Sequence, residues 1–234
     1  MHALKPSRPA GRQRGLSLVE LMVGIAVGLF VVATAATLAA TQLADNRRLL
    51  VETQVQQDLR ASIDIVTRQL RRAGALPQQQ ALLGLATATA DGQGNEYAPV
   101  TLAGSAGNGE IGFRYVVNAS ESGPFGFKLQ GGVVKSLVGA GGWQELTDPN
   151  TLVVTNFAIT AGTASSVALP CARLCSDGGT ACWPTVEVRD ILVEITGHAR
   201  SDAAVQRTMR SAVRLRNDWV RFNDTAHPTQ ACPA

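Results

Sequence analysis

Arg12-Gln13-Arg14-Gly15-Leu16-Ser17-Leu18-Val19-Glu20 runs directly into an apolar stretch from Leu21 to Ala40. The order is a basic leader, a glycine junction, a carboxylate and then a long apolar run, and that order decides the fold. A secretory signal carries its small-residue cleavage site beyond the apolar region. Here the junction precedes it, so loss of the leader leaves the hydrophobic helix on the mature chain. The run from Leu21 to Ala40, at 1.5 Å rise per residue, spans about 30 Å, the thickness of a bilayer core. Glu20 at its start is costly in lipid, and an acid there usually marks a function with a partner charge. The plain alternative is an ordinary N-terminal anchor in which Glu20 is incidental. Gly24 and Gly28 stand one turn apart, a spacing that permits close helix approach, although glycine is also common in membrane helices generally.

The charges give an orientation. The leader holds Lys5, Arg8, Arg12 and Arg14 and no acid, while the whole chain has 21 Lys+Arg, 18 Asp+Glu and a net charge of +3. Without those four cations the mature chain is near −1. Positive residues beside a membrane helix stay on the cytoplasmic side, so the remainder is expected to face the other compartment.

Beyond the apolar run the helical pattern turns amphipathic. Between Asp45 and Arg72, Val51, Val55, Leu59, Ile63, Val66 and Leu70 recur at spacings of three and four among Arg, Gln, Asp and Glu. No proline occurs between Leu16 and Leu76, and Gly74 followed by Pro77 is a stop signal. The spacing predicts one helix over 16–73, about 87 Å long. Composition then shifts to Gly, Ala, Ser and Thr, and residues 74–109 read as a loop-rich connector. Ile111–Val117 reads as a strand. Phe125–Gln130 and Val133–Val138 flank Gly131-Gly132, a hairpin signal. Trp143 falls in the following turn, Leu152–Thr160 is a further strand, and Thr185–Thr196 with Val205–Leu215 reads as a closing hairpin. In the last strand Val205, Arg207, Met209, Ser211, Val213 and Leu215 form the expected core face, and the alternate residues face solvent. The organisation is therefore a leader over 1–15, a helix over 16–73 and a β-rich head over 74–234. The fold class is α+β, a long helix packed on an antiparallel sheet.

The junction, the fifth-position glutamate and the apolar run resemble the prepilin signature of type IV pilins and type II secretion pseudopilins. That resemblance implies cleavage by prepilin peptidase between Gly15 and Leu16, N-methylation of Leu16, and a filament-assembly role for Glu20 against the terminal amine of a neighbouring subunit. Leu16 departs from the phenylalanine commonest in the family, and Thr37 stands near where many major pilins carry a proline. The Arg71-Arg72-Ala73-Gly74 helix end, the Phe125–Leu137 hairpin with a tryptophan beyond it, and the final Leu215-Arg216-Asn217-Asp218 resemble the PilW-like minor pilins. The minor pseudopilin of the J type is the close alternative. The resemblance implies a subunit of the inner membrane with a periplasmic head, joining other minor pilins and the major pilin in a complex that initiates the fibre.

All four cysteines, Cys171, Cys175, Cys182 and Cys232, lie on the expected extracytoplasmic side, where an even count favours two disulfides with three pairings open. A local Cys171–Cys175 loop with Cys182–Cys232 tying down the tail is the expected arrangement. Zinc is the rival, but the spacing lacks a paired C-x2-C. No catalytic, metal or cofactor site is expected. Gly107-Asn108-Gly109-Glu110-Ile111-Gly112 matches G-x-G-x-x-G, yet it follows a loop and enters a strand, the wrong setting for a dinucleotide, and is read as a turn. His198 lies in a hairpin and calls for no catalytic role. Arg207, Arg210, Arg214, Arg216 and Arg221 concentrate basic charge near the last strand. DNA is one partner for such a cluster, and a solvated strand face or acidic groups on a neighbouring subunit is the plainer reading. A membrane-tethered binding module that never polymerises is the alternative from another class.

Overall fold

Val55, Leu59, Ile63, Val66 and Leu70 form the buried stripe of a single helix, α1 (Leu18–Leu70), in the computed structural model. The structure describes residues 15, 17–75, 97–118 and 122–221. The chain divides into two compact units, Met1–Leu49 and Leu50–Ala234. In the first unit every described residue is exposed. In the second, the stripe is buried because its apolar side chains meet a sheet.

α1 ends where the expected stop signals act. The amides of Arg72 and Ala73 bond the carbonyls of Gln69 and Leu70, tightening the last turn to an i→i+3 pattern. Gly74 then adopts a φ of +75°, a conformation that favours glycine, and its amide leaves the helix for the Arg114 carbonyl at 2.8 Å. The regular helix is thus shorter than 16–73 within its described residues, because the last three residues form a turn.

Eleven strands follow among the described residues: β1 (Thr101–Ser105), β2 (Asn108–Phe113), β3 (Phe125–Gln130), β4 (Val133–Val138), β5 (Trp143–Glu145), β6 (Leu152–Ala161), β7 (Ser165–Ala168), β8 (Thr185–Val188), β9 (Asp190–Ala199), β10 (Gln206–Arg214) and β11 (Trp219–Arg221). The larger sheet runs β10-β9-β6-β2-β3-β4-β5, with β1 against β2. Its pairings are antiparallel except for one parallel bridge, Asn108 to Phe157. The smaller sheet is β11-β8-β7.

The β3–β4 hairpin turns on Gly131-Gly132 as expected, both at positive φ (64° and 77°), the geometry whose twist suits a two-residue hairpin. The closing hairpin also forms, between β9 and β10. Three expectations are corrected. The connector read over 74–109 contains β1 and the start of β2, whose small, uncharged residues hide the strand pattern. Trp143 opens a short strand on β4 rather than a turn. The run Thr185–Thr196 is two strands: β8 pairs with β7 and β11, and β9 joins the main sheet.

Arg189, between β8 and β9, marks that division. Its guanidinium donates to the carbonyls of Ala98 at 2.6 Å and Asn217 at 3.1 Å. Asn217 in turn donates from its side-chain amide to the Ala73 carbonyl at 2.8 Å. The helix end, the approach to β1, the start of β9 and the segment after β10 therefore meet through polar side chains.

The stripe packs on Ile111, Phe127, Leu152, Phe157, Val193, Ile195 and Val213 in one continuous core. Near the helix end, Tyr115 stacks on Phe125 with ring centroids 4.2 Å apart and donates its hydroxyl to Gln69 Oε1 at 2.9 Å. The Arg72 guanidinium lies 4.2 Å from the Tyr115 ring centre. Leu59 is fully buried. Its replacement by alanine is expected to destabilise the second unit by about 2–5 kcal/mol, while Ile65→Ala, at a site 40 % exposed, costs a fraction of that. Denaturant unfolding of the full chain in detergent, followed by tryptophan emission, checks the contrast. Equal costs at the two sites would contradict the packing described.

Candidate functional site

The N-terminal segment begins with a helix cap. Ser17 precedes the first helical residue, and its Oγ accepts the Glu20 amide at 3.3 Å while its carbonyl accepts the Leu21 amide at 3.1 Å. Ser17-Leu18-Val19-Glu20 is therefore the serine-to-glutamate spacing of a capping box. Glu20 occupies the first turn, where unsatisfied amides and the helix dipole favour negative charge. The sequence marks Glu20 as a membrane carboxylate, and the serine three residues before it is the local signal for the cap. The two roles are compatible, because a cap that accepts the Glu20 amide leaves the carboxylate exposed.

The following helix is long and apolar enough to cross a membrane, and none of its most apolar stretch is buried. Leu21, Met22, Ile25, Leu29, Phe30 and Val32 are all more than half exposed. Three of its hydroxyls are satisfied within the helix: Thr34, Thr37 and Thr41 donate to the carbonyls of Val31, Thr34 and Leu38 at 2.8–2.9 Å. Such bonds let hydroxyls sit in hydrocarbon without an unpaired donor. Thr37 thus keeps the helix regular at the place where a proline was the family's common choice. No atom lies within 4 Å of where a Cβ would stand on Gly24 or Gly28, so both leave open backbone on the helix surface. Gly15 is exposed ahead of the cap; Leu16 lies outside the described residues.

A family model described as the prokaryotic N-terminal methylation motif matches residues 11–36, the stretch that carries the junction, the cap and the two glycines. A second, described as prepilin peptidase-dependent protein B, matches residues 48–215, most of the chain. The chain belongs to the prepilin peptidase-dependent protein B family. No curated protein and no solved structure matches it. With the α+β architecture, these matches make it a pilin-like protein, dependent on prepilin peptidase and anchored to a membrane by its N-terminal helix. Pilin-like families are structural rather than enzymatic.

In this prepilin peptidase-dependent chain the cysteines pair differently from the expected arrangement. Cys175 is joined to Cys182, with Cα atoms 5.8 Å apart. The cause is the turn between them. The Gly178 amide donates to the Cys175 carbonyl and the Cys175 amide to the Gly179 carbonyl, while Asp177 Oδ1 accepts the Gly179 amide. That reversal returns the chain to Cys175 and leaves no sulfur for a Cys171–Cys175 loop or a Cys182–Cys232 tie. Cys171 is disulfide-bonded as well, and Cys232 lies outside the described residues.

The basic cluster does not form one surface. Arg207 sits on the helix-facing side of β10, where its Nη2 meets Glu52 Oε2 at 2.7 Å. Arg210 and Arg214 project from the opposite side and bond Glu194 and Asp218. Arg216 is exposed beyond the strand, and the Arg221 side chain lies outside the described part. Three of the five guanidiniums therefore have carboxylate partners, and strand alternation splits them between two faces. His198 Nδ1 lies 2.9 Å from the Ala199 carbonyl oxygen, a local backbone contact within β9.

Non-reducing digestion followed by mass spectrometry is expected to yield a Cys175–Cys182 cross-link, and a Cys171–Cys175 link would contradict the turn geometry. Removing the pair as serines is expected to cost about 2–3 kcal/mol, the loop-closure scale for so short a loop, in the same denaturant assay.

Proposed function

We propose that this chain is a minor pilin of the PilW-like kind, a structural subunit that helps initiate type IV pilus assembly. Prepilin peptidase cuts between Gly15 and Leu16 and methylates the new Leu16 amine. The basic leader holds that end in the cytoplasm, the helix crosses the inner membrane, and the head lies in the periplasm. In the assembly the Glu20 carboxylate meets the terminal amine of an adjacent subunit. Such a pair in lipid is worth several times a surface pair, because little solvent screens it. Gly24 and Gly28 let a neighbouring helix come close, and the other minor pilins and the major pilin are the partners.

The observation that carries this reading is the methylation motif seated on a capped, exposed helix of membrane length. A secretory anchor needs neither a carboxylate in its first turn nor a junction ahead of its apolar run. The disulfides suit the oxidising periplasm. The pairing of Arg207, Arg210 and Arg214 with acids of the same chain counts against a free basic stripe for nucleic acid.

Intact-mass analysis and N-terminal sequencing of the membrane-extracted chain, from cells with and without prepilin peptidase, test the reading. The expected outcome is a chain beginning at methylated Leu16 only when the peptidase is present. A chain that begins near Met1 in both would overturn it and favour a tethered module. Replacing Glu20 by glutamine is expected to leave cleavage intact and to lower the number of pili in electron micrographs. Normal piliation with loss of protein secretion would instead identify a type II secretion pseudopilin.

A further inference from the structure

β10 ends the main sheet, and its ladder with β9 shows which of its backbone groups are used there. The pairing runs without a bulge from Gln206↔His198 to Arg214↔Asp190. Just beyond its two ends, the Ala199 amide donates to the Val205 carbonyl and the Leu215 amide to the Arg189 carbonyl, both at 3.0 Å. Bonded and non-bonded pairs alternate along an antiparallel ladder, so Arg207, Met209, Ser211 and Val213 direct their backbone groups to β9. Gln206, Thr208, Arg210, Ala212 and Arg214 therefore direct theirs away from the sheet. The Gln206 carbonyl accepts from Arg207 Nη1 at 2.8 Å. Among the described residues nothing bonds the outward amides and carbonyls of Thr208, Arg210, Ala212 or Arg214.

Proteins guard a long edge strand with charged side chains, a proline, a bulge or a covering element. β10 has no proline and no bulge, and its arginines are held elsewhere. Arg210 is drawn over β9 to Glu194, its own register partner, and Arg214 reaches along its chain to Asp218. Arg207 crosses to Glu52 on α1 and guards only the Gln206 carbonyl. Thr208 and Thr196 share a hydroxyl bond at 2.9 Å, again toward β9. The edge from Thr208 to Arg214 is left open. Its outward-bonding residues carry exposed side chains on the face away from α1, whereas partly buried Met209 packs against the core on the α1 side.

An added strand is the complement of a row of outward amides and carbonyls. We propose that β10, from Thr208 to Arg214, docks an antiparallel extended strand of another protein, which continues the main sheet beyond its edge. The ladder geometry fixes the pattern of that strand. Bonded partners in an antiparallel pair share a face, so its bonded residues lie beside Thr208, Arg210 and Ala212 and are polar. The residues between them fall beside Met209 and Ser211 on the α1 side and are apolar. No charge is called for, because the arginines already have acids of their own chain. A second copy of β10 fits less well. The strand holds Arg207, Arg210 and Arg214 and no acid, and antiparallel pairing of two copies sets arginines opposite or diagonal to one another. The proposal does not depend on how the N-terminus is processed.

The probe is the synthetic peptide acetyl-Thr-MeVal-Thr-MeVal-Thr-MeVal-Thr-amide, in which MeVal is N-methylvaline, so that only one edge can bond and larger sheets cannot form. It is titrated into the full chain in detergent, followed by calorimetry and by amide exchange resolved to single residues. Saturable binding is expected, with slowed exchange at Thr208, Arg210 and Ala212, whose amides exchange freely before peptide is added. Ala212→Pro removes an outward donor that the sheet does not use, a change an edge strand tolerates. It should weaken binding about tenfold, the scale of one hydrogen bond, with little change in unfolding temperature. The exchange measurement on the unaltered chain decides the matter even if that variant unfolds. Absent binding, binding that leaves those amides unchanged, or undiminished binding by a folded Ala212→Pro chain would overturn the proposal. Equal binding of the exchanged peptide, with valine at the bonding positions and N-methylthreonine between them, would also overturn it. So would slow exchange at those amides in the peptide-free chain, which would assign the edge to a segment of the chain itself, or to a second copy if dilution removes the protection.

Discussion

The second unit depends on one contact, the stripe from Val55 to Leu70 laid against the main sheet. Each of those leucines, isoleucines and valines removes apolar surface from water, at roughly 1.5–3 kcal/mol per fully buried side chain. Among the described residues, Phe127, Phe157, Leu152 and Ile195 share one core with those helix residues. The stripe therefore fixes which face of each strand points inward. It also determines that the opposite face of β2–β5 carries Lys128, Lys135 and Trp143 outward. A one-residue slip in any strand would exchange the two sets, which is why a buried face specifies register so strongly.

The same chemistry explains why one helix carries two kinds of surface. From Leu21 to Ala40 its residues are predominantly apolar all round and exposed, a pattern that suits lipid. After Leu50 the apolar residues narrow to a stripe and the rest of the helix becomes polar. Hydroxyls in the first part bond their own helix, at Thr34, Thr37 and Thr41, whereas polar groups in the second part reach the head, as Gln69 does to Tyr115 and Glu52 to Arg207. Membership in the prepilin peptidase-dependent family fits that division, with the methylation motif over the first part and the family match over the second.

Periodicity made the helix, its stop at Gly74 and the two hairpins legible. A 3.6-residue stripe, a glycine pair between alternating runs and the β10 alternation are local signals that tertiary packing reinforces. What could not be read was non-local. β1 consists of Thr, Leu, Ala, Gly and Ser, with no apolar alternation, and it exists because β2 offers it an edge. The division of Thr185–Thr196 depends on Arg189 reaching residues about ninety positions before it and about thirty after it. The Cys175–Cys182 bond was missed because spacing alone does not reveal the reversal at Asp177-Gly178-Gly179. The arginines looked like one cluster in sequence, and only strand alternation and the acids Glu52, Glu194 and Asp218 disperse it. At the N-terminus the Ser17 cap was present in the sequence and went unread beside the more conspicuous Glu20.

Hydrogen exchange of the full chain in lipid nanodiscs, with rising urea, tests most directly whether this helix is held in two different ways. The account predicts that residues 21–40 and 55–70 are both protected in the absence of urea. Urea that unfolds the head should abolish protection over 55–70 and spare 21–40, because lipid shields one segment and the sheet the other. Simultaneous loss of protection in both segments, or rapid exchange over 55–70 in the native chain, would contradict it.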